Sequence, residues 1–155
     1  QMKQRGFSLI EVLVAMVFLA IAILSILELN RMSYKMTMDA YYEFMALQLA
    51  REPIEVFRGF GYHRLKTIET NPIPDFPINE KKHLSGLSAT YYPKETGAFD
   101  RLISLQHEEI TRGDGKKANA YRVKVTITPS QESWVKTWLT RQAVILEAFI
   151  WEQPL

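Results

Sequence analysis

The residues with the most chemical content stand together near the N-terminus: Lys3-Gln4-Arg5-Gly6-Phe7-Ser8-Leu9-Ile10-Glu11-Val12. They form a short basic lead, a glycine, and an apolar run to about Leu27 that contains one carboxylate, Glu11. Gly6 has no side chain, so another molecule can approach its backbone closely. Lys3 and Arg5 hold the lead on the cytoplasmic side of a membrane. Glu11 is the anomaly. A carboxylate inside a membrane span costs about 2.5–3.5 kcal/mol on insertion scales, and such a group usually has a partner and a task.

The element that positions these residues is a helix. About 21 residues from Phe7 to Leu27, rising about 1.5 Å each, reach roughly 30 Å, one hydrocarbon thickness. A signal peptide is one competing reading, since Ala20-Ile21-Ala22 has the small-x-small form of a cleavage site. Against it, Ile23 to Leu27 stays apolar beyond that point. A plain single-span anchor is another, and neither reading has a use for Glu11.

Arg5-Gly6-Phe7-Ser8-Leu9-Ile10-Glu11-Val12-Leu13 resembles the class III leader and mature N-terminus of type IV pilins and of type II secretion pseudopilins. The resemblance covers about the first 25 residues. It implies that a prepilin peptidase cuts between Gly6 and Phe7 and methylates the new N-terminus at Phe7. It also implies that the mature chain joins other pilin-like subunits in a helical filament, on an assembly platform in the membrane, after residing in the lipid bilayer. Glu11 is then the assembly residue. A cut chain carries an ammonium on Phe7 at a helix N-terminus, already a site of partial positive charge. The Glu11 carboxylate can meet that ammonium on its own chain or a neighbour's, because a charge left unpaired in low dielectric is penalised by several kcal/mol.

Helical periodicity continues past the span. Leu29, Met32, Met36, Ala40, Phe44, Leu47, Ile54 and Phe57 recur at helical spacing among charged residues, an amphipathic stripe expected to pack on a head. Pro53 is expected to bend the helix, and Gly59 and Gly61 to end it. Tyr34, Tyr41 and Tyr42 suit subunit contacts, and the methionines around Met36 read as core filler or an adaptable interface. Residues 1–6 are thus a leader, 7–58 one long helix with 7–27 in the membrane, and 59–155 a globular pilin-like head.

Within the head, Asn71-Pro72-Ile73-Pro74-Asp75-Phe76-Pro77 is a surface loop, and Ser88 to Tyr92 a possible short strand. Leu102 to Thr111 is a strand, followed by a turn over Arg112-Gly113-Asp114-Gly115-Lys116-Lys117. Tyr121, Val123, Val125 and Ile127 alternate with polar residues, a half-buried strand that Pro129 breaks. Ala143 to Trp151, apolar on both sides apart from Glu147, reads as the central strand. An antiparallel meander on the amphipathic helix buries these faces, so the fold class is α+β.

With no cysteine in 155 residues, disulfides, thiolate metal sites and a cysteine nucleophile are excluded. The net charge of +2 argues neither for nor against nucleic acid. His63, His83 and His107 lack a metal-ligand or dyad spacing, and Gly113-Asp114-Gly115-Lys116 lacks the glycine spacing of a phosphate loop. Arg112-Gly113-Asp114 spells an adhesion tripeptide in a turn whose composition already accounts for it. Lys81-Lys82-His83 and Lys116-Lys117, with Tyr91, Tyr92 and Tyr121, could form a DNA-contacting patch; solvated surface is the favoured reading. The sequence therefore reads as a structural filament subunit, a minor pilin or pseudopilin, without cofactor, metal or catalytic site. A filament-tip subunit binding DNA or a surface ligand is the alternative, ahead of a membrane-tethered hydrolase.

Overall fold

A computed structural model of the chain describes residues 8–71, 73–84, 94–111, 113, 115–130 and 143–152. Helix α1 spans Leu9–Thr70, and the chain divides into two compact units, residues 1–38 and 39–155.

In the first unit α1 is apolar to about Leu27 apart from Glu11, and carries Glu28, Arg31 and Lys35 beyond it. Its most apolar 18-residue window has a mean hydropathy of 2.9 and none of it is buried, so the helix is long and apolar enough to cross a membrane. Two hydroxyls here are satisfied by the helix's own backbone. Ser25 Oγ donates to Ile21 O at 2.9 Å and Thr37 Oγ1 to Ser33 O at 2.9 Å.

The second unit is a four-stranded sheet in the order β1-β2-β3-β4, antiparallel throughout, with α1 against one face. The strands are β1 (Lys81–His83), β2 (Phe99–Thr111), β3 (Lys117–Pro129) and β4 (Val144–Trp151); a 3₁₀ turn at Lys94–Ala98 leads into β2. Side-chain alternation gives the sheet a dry face of Ile103, Leu105, Val123, Val125, Ile127, Ala148 and Ile150. Opposite it, Tyr42, Ala46, Leu49, Ala50, Ile54 and Phe57 recur at three- and four-residue steps and are buried. The Tyr42 ring sits 6.4 Å from Phe99 and the Phe57 ring 6.1 Å from Phe76. Fully burying a side chain the size of Phe57 contributes about 1.5–3 kcal/mol.

The α+β class and the long helix on an antiparallel sheet are as the sequence leads one to expect. Several details differ. The buried stripe shares only Ile54 and Phe57 with the expected one. Phe44 and Leu47 are 62% and 42% exposed, and Tyr42 is a core residue rather than a surface contact. Two apolar stripes lie side by side on this helix, and periodicity alone does not say which one meets the sheet. Pro53 is buried and keeps helical dihedrals. At Gly61 the backbone does leave helical geometry (φ 72°, ψ 169°), a left-handed φ that glycine adopts without a Cβ penalty, but the helix resumes and runs to Thr70.

Among the described residues strand β4 is an edge strand, not the central one. Its residues alternate between the dry face and an outer face on which Ile145, Phe149 and Trp151 are 51%, 42% and 38% exposed. Apolar character on both sides was compatible with either position, and only the pairing to β3 alone decides it. Strand β1, a Lys-Lys-His tripeptide, carries no apolar signal; it pairs Lys81 with Leu102 and His83 with Asp100. The possible strand at Ser88 to Tyr92 lies outside the described residues.

Candidate functional site

Gly6 and Phe7 lie outside the described residues, so the helix is seen from Ser8 onward. Ser8 O accepts from Glu11 N at 2.9 Å and from Val12 N at 3.2 Å, which starts α1. Glu11 therefore sits in the first helical turn, where a negative charge is favoured by the helix dipole. The Ser8-Leu9-Ile10-Glu11 spacing is also that of a capping box, in which the acid reaches back to the first backbone donors. That signal is legible in the sequence and offers Glu11 a use within its own helix. Around it the apolar side chains stand open, Leu9 at 84% and Ile10 at 69%.

The head holds three polar clusters. The first centres on Arg101 of β2, whose side chain is 1% exposed. Its Nη1 donates to Glu52 Oε2 of α1 at 2.9 Å and its Nη2 to Asp75 O at 3.2 Å, while the guanidinium lies 4.8 Å over the Phe76 ring. One buried cation thus ties helix, sheet and the 71–80 connection together. Nothing in the sequence marks Arg101, because alternation along β2 says only which face it occupies.

In the second cluster, the rings of Tyr62, His107 and Tyr121 lie 5.2–6.2 Å apart. Tyr62 Oη and His107 Nε2 share a hydrogen bond of 3.0 Å, and Tyr121 Oη donates to Glu69 Oε2 at 3.1 Å. Burial, then the bond and charge of Glu69, push the Tyr121 phenol up to about 12. A neutral phenol held this firmly is a structural donor at ordinary pH.

The third cluster latches β1 to β2. Asp100 accepts from His83 Nδ1 at 2.7 Å and from Lys81 Nζ at 3.0 Å. Burial opposes ionisation of Asp100, but the hydrogen bonds and charges of His83 and Lys81 outweigh it and hold the carboxyl below its ordinary value. The sign follows directly. A depressed folded value means the stabilisation is present above the unfolded carboxylate range, near 3.9, and is lost as pH falls through the folded value. Asp100→Asn should therefore lower the melting temperature at pH 7 and flatten its fall below about pH 4. Parallel acid limbs for the two proteins in a pH series of thermal melts would contradict this assignment.

The residues of the DNA-contacting reading are not assembled into a patch. Tyr121 is 2% exposed and cannot stack bases. Lys117 Nζ pairs with Glu109 Oε2 at 3.0 Å, Lys81 with Asp100, and Lys82 Nζ donates to Pro74 O at 2.7 Å. Tyr91, Tyr92, Arg112 and Asp114 lie outside the described residues. His83 stands apart on Asp100, while His63 and His107 both lie against the Tyr62 ring, at 5.6 and 6.2 Å; among the described residues no group of three or more histidine or acidic side chains could hold a metal ion.

No curated protein and no solved structure matches the chain. Residues 1–27 match the family model described as the prokaryotic N-terminal methylation motif. That motif, directly ahead of an apolar helix long enough to span a bilayer, supports assignment to the type IV pilin-like and pseudopilin family.

Proposed function

We propose that the chain is a structural subunit, a minor pilin or pseudopilin, of a type IV pilus-like or type II secretion filament. A prepilin peptidase cuts it between Gly6 and Phe7 and methylates Phe7. Before assembly it is a single-pass protein of a bacterial cell envelope, with the N-terminus cytoplasmic and the head outside the cytoplasmic membrane. In the filament its apolar helix is shielded by the helices of other subunits.

The observation that carries this reading is the methylation motif at residues 1–27 set on a helix with no buried position in its apolar window. An apolar surface of that extent needs lipid or other helices around it. The charge placement agrees with it, since Lys3 and Arg5 precede the span and Glu11 lies in its first turn. Intact-mass and peptide mass spectrometry of the protein purified from its native envelope is the test. The expected N-terminal peptide begins with N-methylated Phe7. A peptide that still contains Gly6, or one that begins beyond Ala22, would remove the proposal.

A further inference from the structure

Between the last turn of α1 and Leu84 the chain passes the edge of β2 with little to bury. Ile68 and Leu84, one on either side, are 4% and 1% exposed, yet no residue from 73 to 83 is buried. Ile73, Phe76 and Ile78, its larger apolar members, are only half-buried. A segment with so few buried apolar contacts belongs to the low end of local stability.

What holds it is polar and comes from two consecutive residues of β2. Successive side chains of a strand point to opposite faces, so Arg101 and Asp100 grip the segment from the two sides of the β2 edge. On the helix side, Arg101 Nη2 donates to Asp75 O at 3.2 Å and the guanidinium lies 4.8 Å over the Phe76 ring. On the other side, Asp100 takes Lys81 Nζ at 3.0 Å and His83 Nδ1 at 2.7 Å. The backbone adds the three-residue pairing of β1, a bridge from Ile78 to Ile103, and a bond from Asn79 N to Ile103 O at 2.7 Å. Lys82 Nζ donates to Pro74 O at 2.7 Å, which closes the segment on itself.

The two grips differ in access. Arg101 is 1% exposed and backed by Glu52, whereas Lys81 and His83 are 54% and 47% exposed, so water reaches the Asp100 grip first. Lys81 and His83 are the charged groups that act on Asp100 from β1. Thr128, opposite it on β3, does not titrate, and Arg101 and Glu52 pair on the other face.

We propose that residues 73–83 form a strap that opens and closes as one unit while the rest of the head stays folded, with the Asp100 carboxylate as its catch. Open, the strap bares the edge of β2 from Asp100 to Ile103. Acid works the catch, because protonating Asp100 removes the charge that Lys81 and His83 share. Every group involved lies in the head, so the strap and the filament reading stand or fall separately.

Hydrogen exchange followed by mass spectrometry on the full chain in detergent, corrected for the intrinsic pH dependence of exchange, reads peptides over residues 76–83 and 121–127. At pH 6 the first should open about tenfold or more as often as the second. Asp100→Asn should raise that opening by about tenfold and leave residues 121–127 protected. The double substitution Lys81→Gln with His83→Gln removes the same grip from two exposed positions and should do likewise. Taking the wild-type chain from pH 6 to pH 3 should give the same rise, Asp100→Asn should show little further change, and Glu52→Gln should keep the full response. Equal opening of the two peptides would mean that the segment unfolds only with the head and would overturn the proposal. So would wild-type opening in both catch variants, or an acid response that survives Asp100→Asn, which would place the trigger on another carboxylate.

Discussion

Arg101→Ala should destabilise the head by about 3–5 kcal/mol, the range for breaking a buried ion pair from one side. The guanidinium is 1% exposed and makes two hydrogen bonds and a ring contact. Its removal leaves a cavity, strips Asp75 O of a donor and takes from Glu52 its Arg101 cation. The Glu52 side chain is 35% exposed, so water tempers that last part and the lower end of the range is expected. Glu52→Ala removes the other half and strands a charge that water reaches far less, so it should cost at least as much. The double substitution Arg101→Met with Glu52→Met removes both charges while keeping much of the volume. It should be closer to wild type than Glu52→Ala alone, because an apolar pair carries no desolvation penalty. Denaturant unfolding followed by near-ultraviolet circular dichroism measures the order. If Glu52→Ala behaved like a surface change, within about 0.5 kcal/mol of wild type, the anchoring role of Arg101 would be lost.

The second large effect concerns assembly. Glu11→Val should leave cleavage after Gly6 intact yet transfer the processed subunit from the filament fraction to the membrane fraction. The two changes reinforce each other. Deleting a carboxylate from the span makes residence in lipid more favourable by about 2.5–3.5 kcal/mol. In the proposed pairing Glu11 is the partner of the Phe7 ammonium, and deleting it leaves that charge alone at a cost of several kcal/mol in low dielectric. At 1.4 kcal/mol per decade, incorporation should fall by about a hundredfold or more. Glu11→Asp keeps the charge on a shorter arm and should restore part of it. Quantifying processed subunit in sheared filaments and in washed membranes checks the prediction. Normal incorporation of Glu11→Val would show that the acid serves only its own helix, through the Ser8-x-x-Glu11 cap.

The sequence was most legible where one signal admits one structure. Strict alternation from Tyr121 to Ile127 returns as β3, and the glycine-rich turn before it sets the register from Thr111↔Lys117 onward. The apolar run after Phe7 returns as an exposed helix. Legibility failed where two arrangements share a pattern. Phe44 and Leu47 have the spacing of core residues but lie on the second of two adjacent stripes. The apolar content of β4 does not distinguish a strand with two neighbours from one with an open side. β1 is recruited by pairing to β2 and by Asp100, both tertiary effects that Lys-Lys-His does not encode. Arg101 escaped notice because a lone arginine in a strand normally points to water; here Glu52, from a residue 49 positions away, makes burial tolerable. The methylation motif, by contrast, was readable because its match at residues 1–27 rests on consecutive residues and not on tertiary packing.

The hydroxyl of Ser25, closed onto Ile21 O one turn below it, bears on how the span could change company. A hydroxyl that seeks its acceptor on an adjacent helix fixes the rotation of its own helix and resists being parted from that mate. Ser25 carries its acceptor along, so fatty acyl chains and protein side chains are equally acceptable surroundings for it. It expresses no preferred azimuth, so the orientation of the helix among others is left to the fit of its apolar side chains and to its ends.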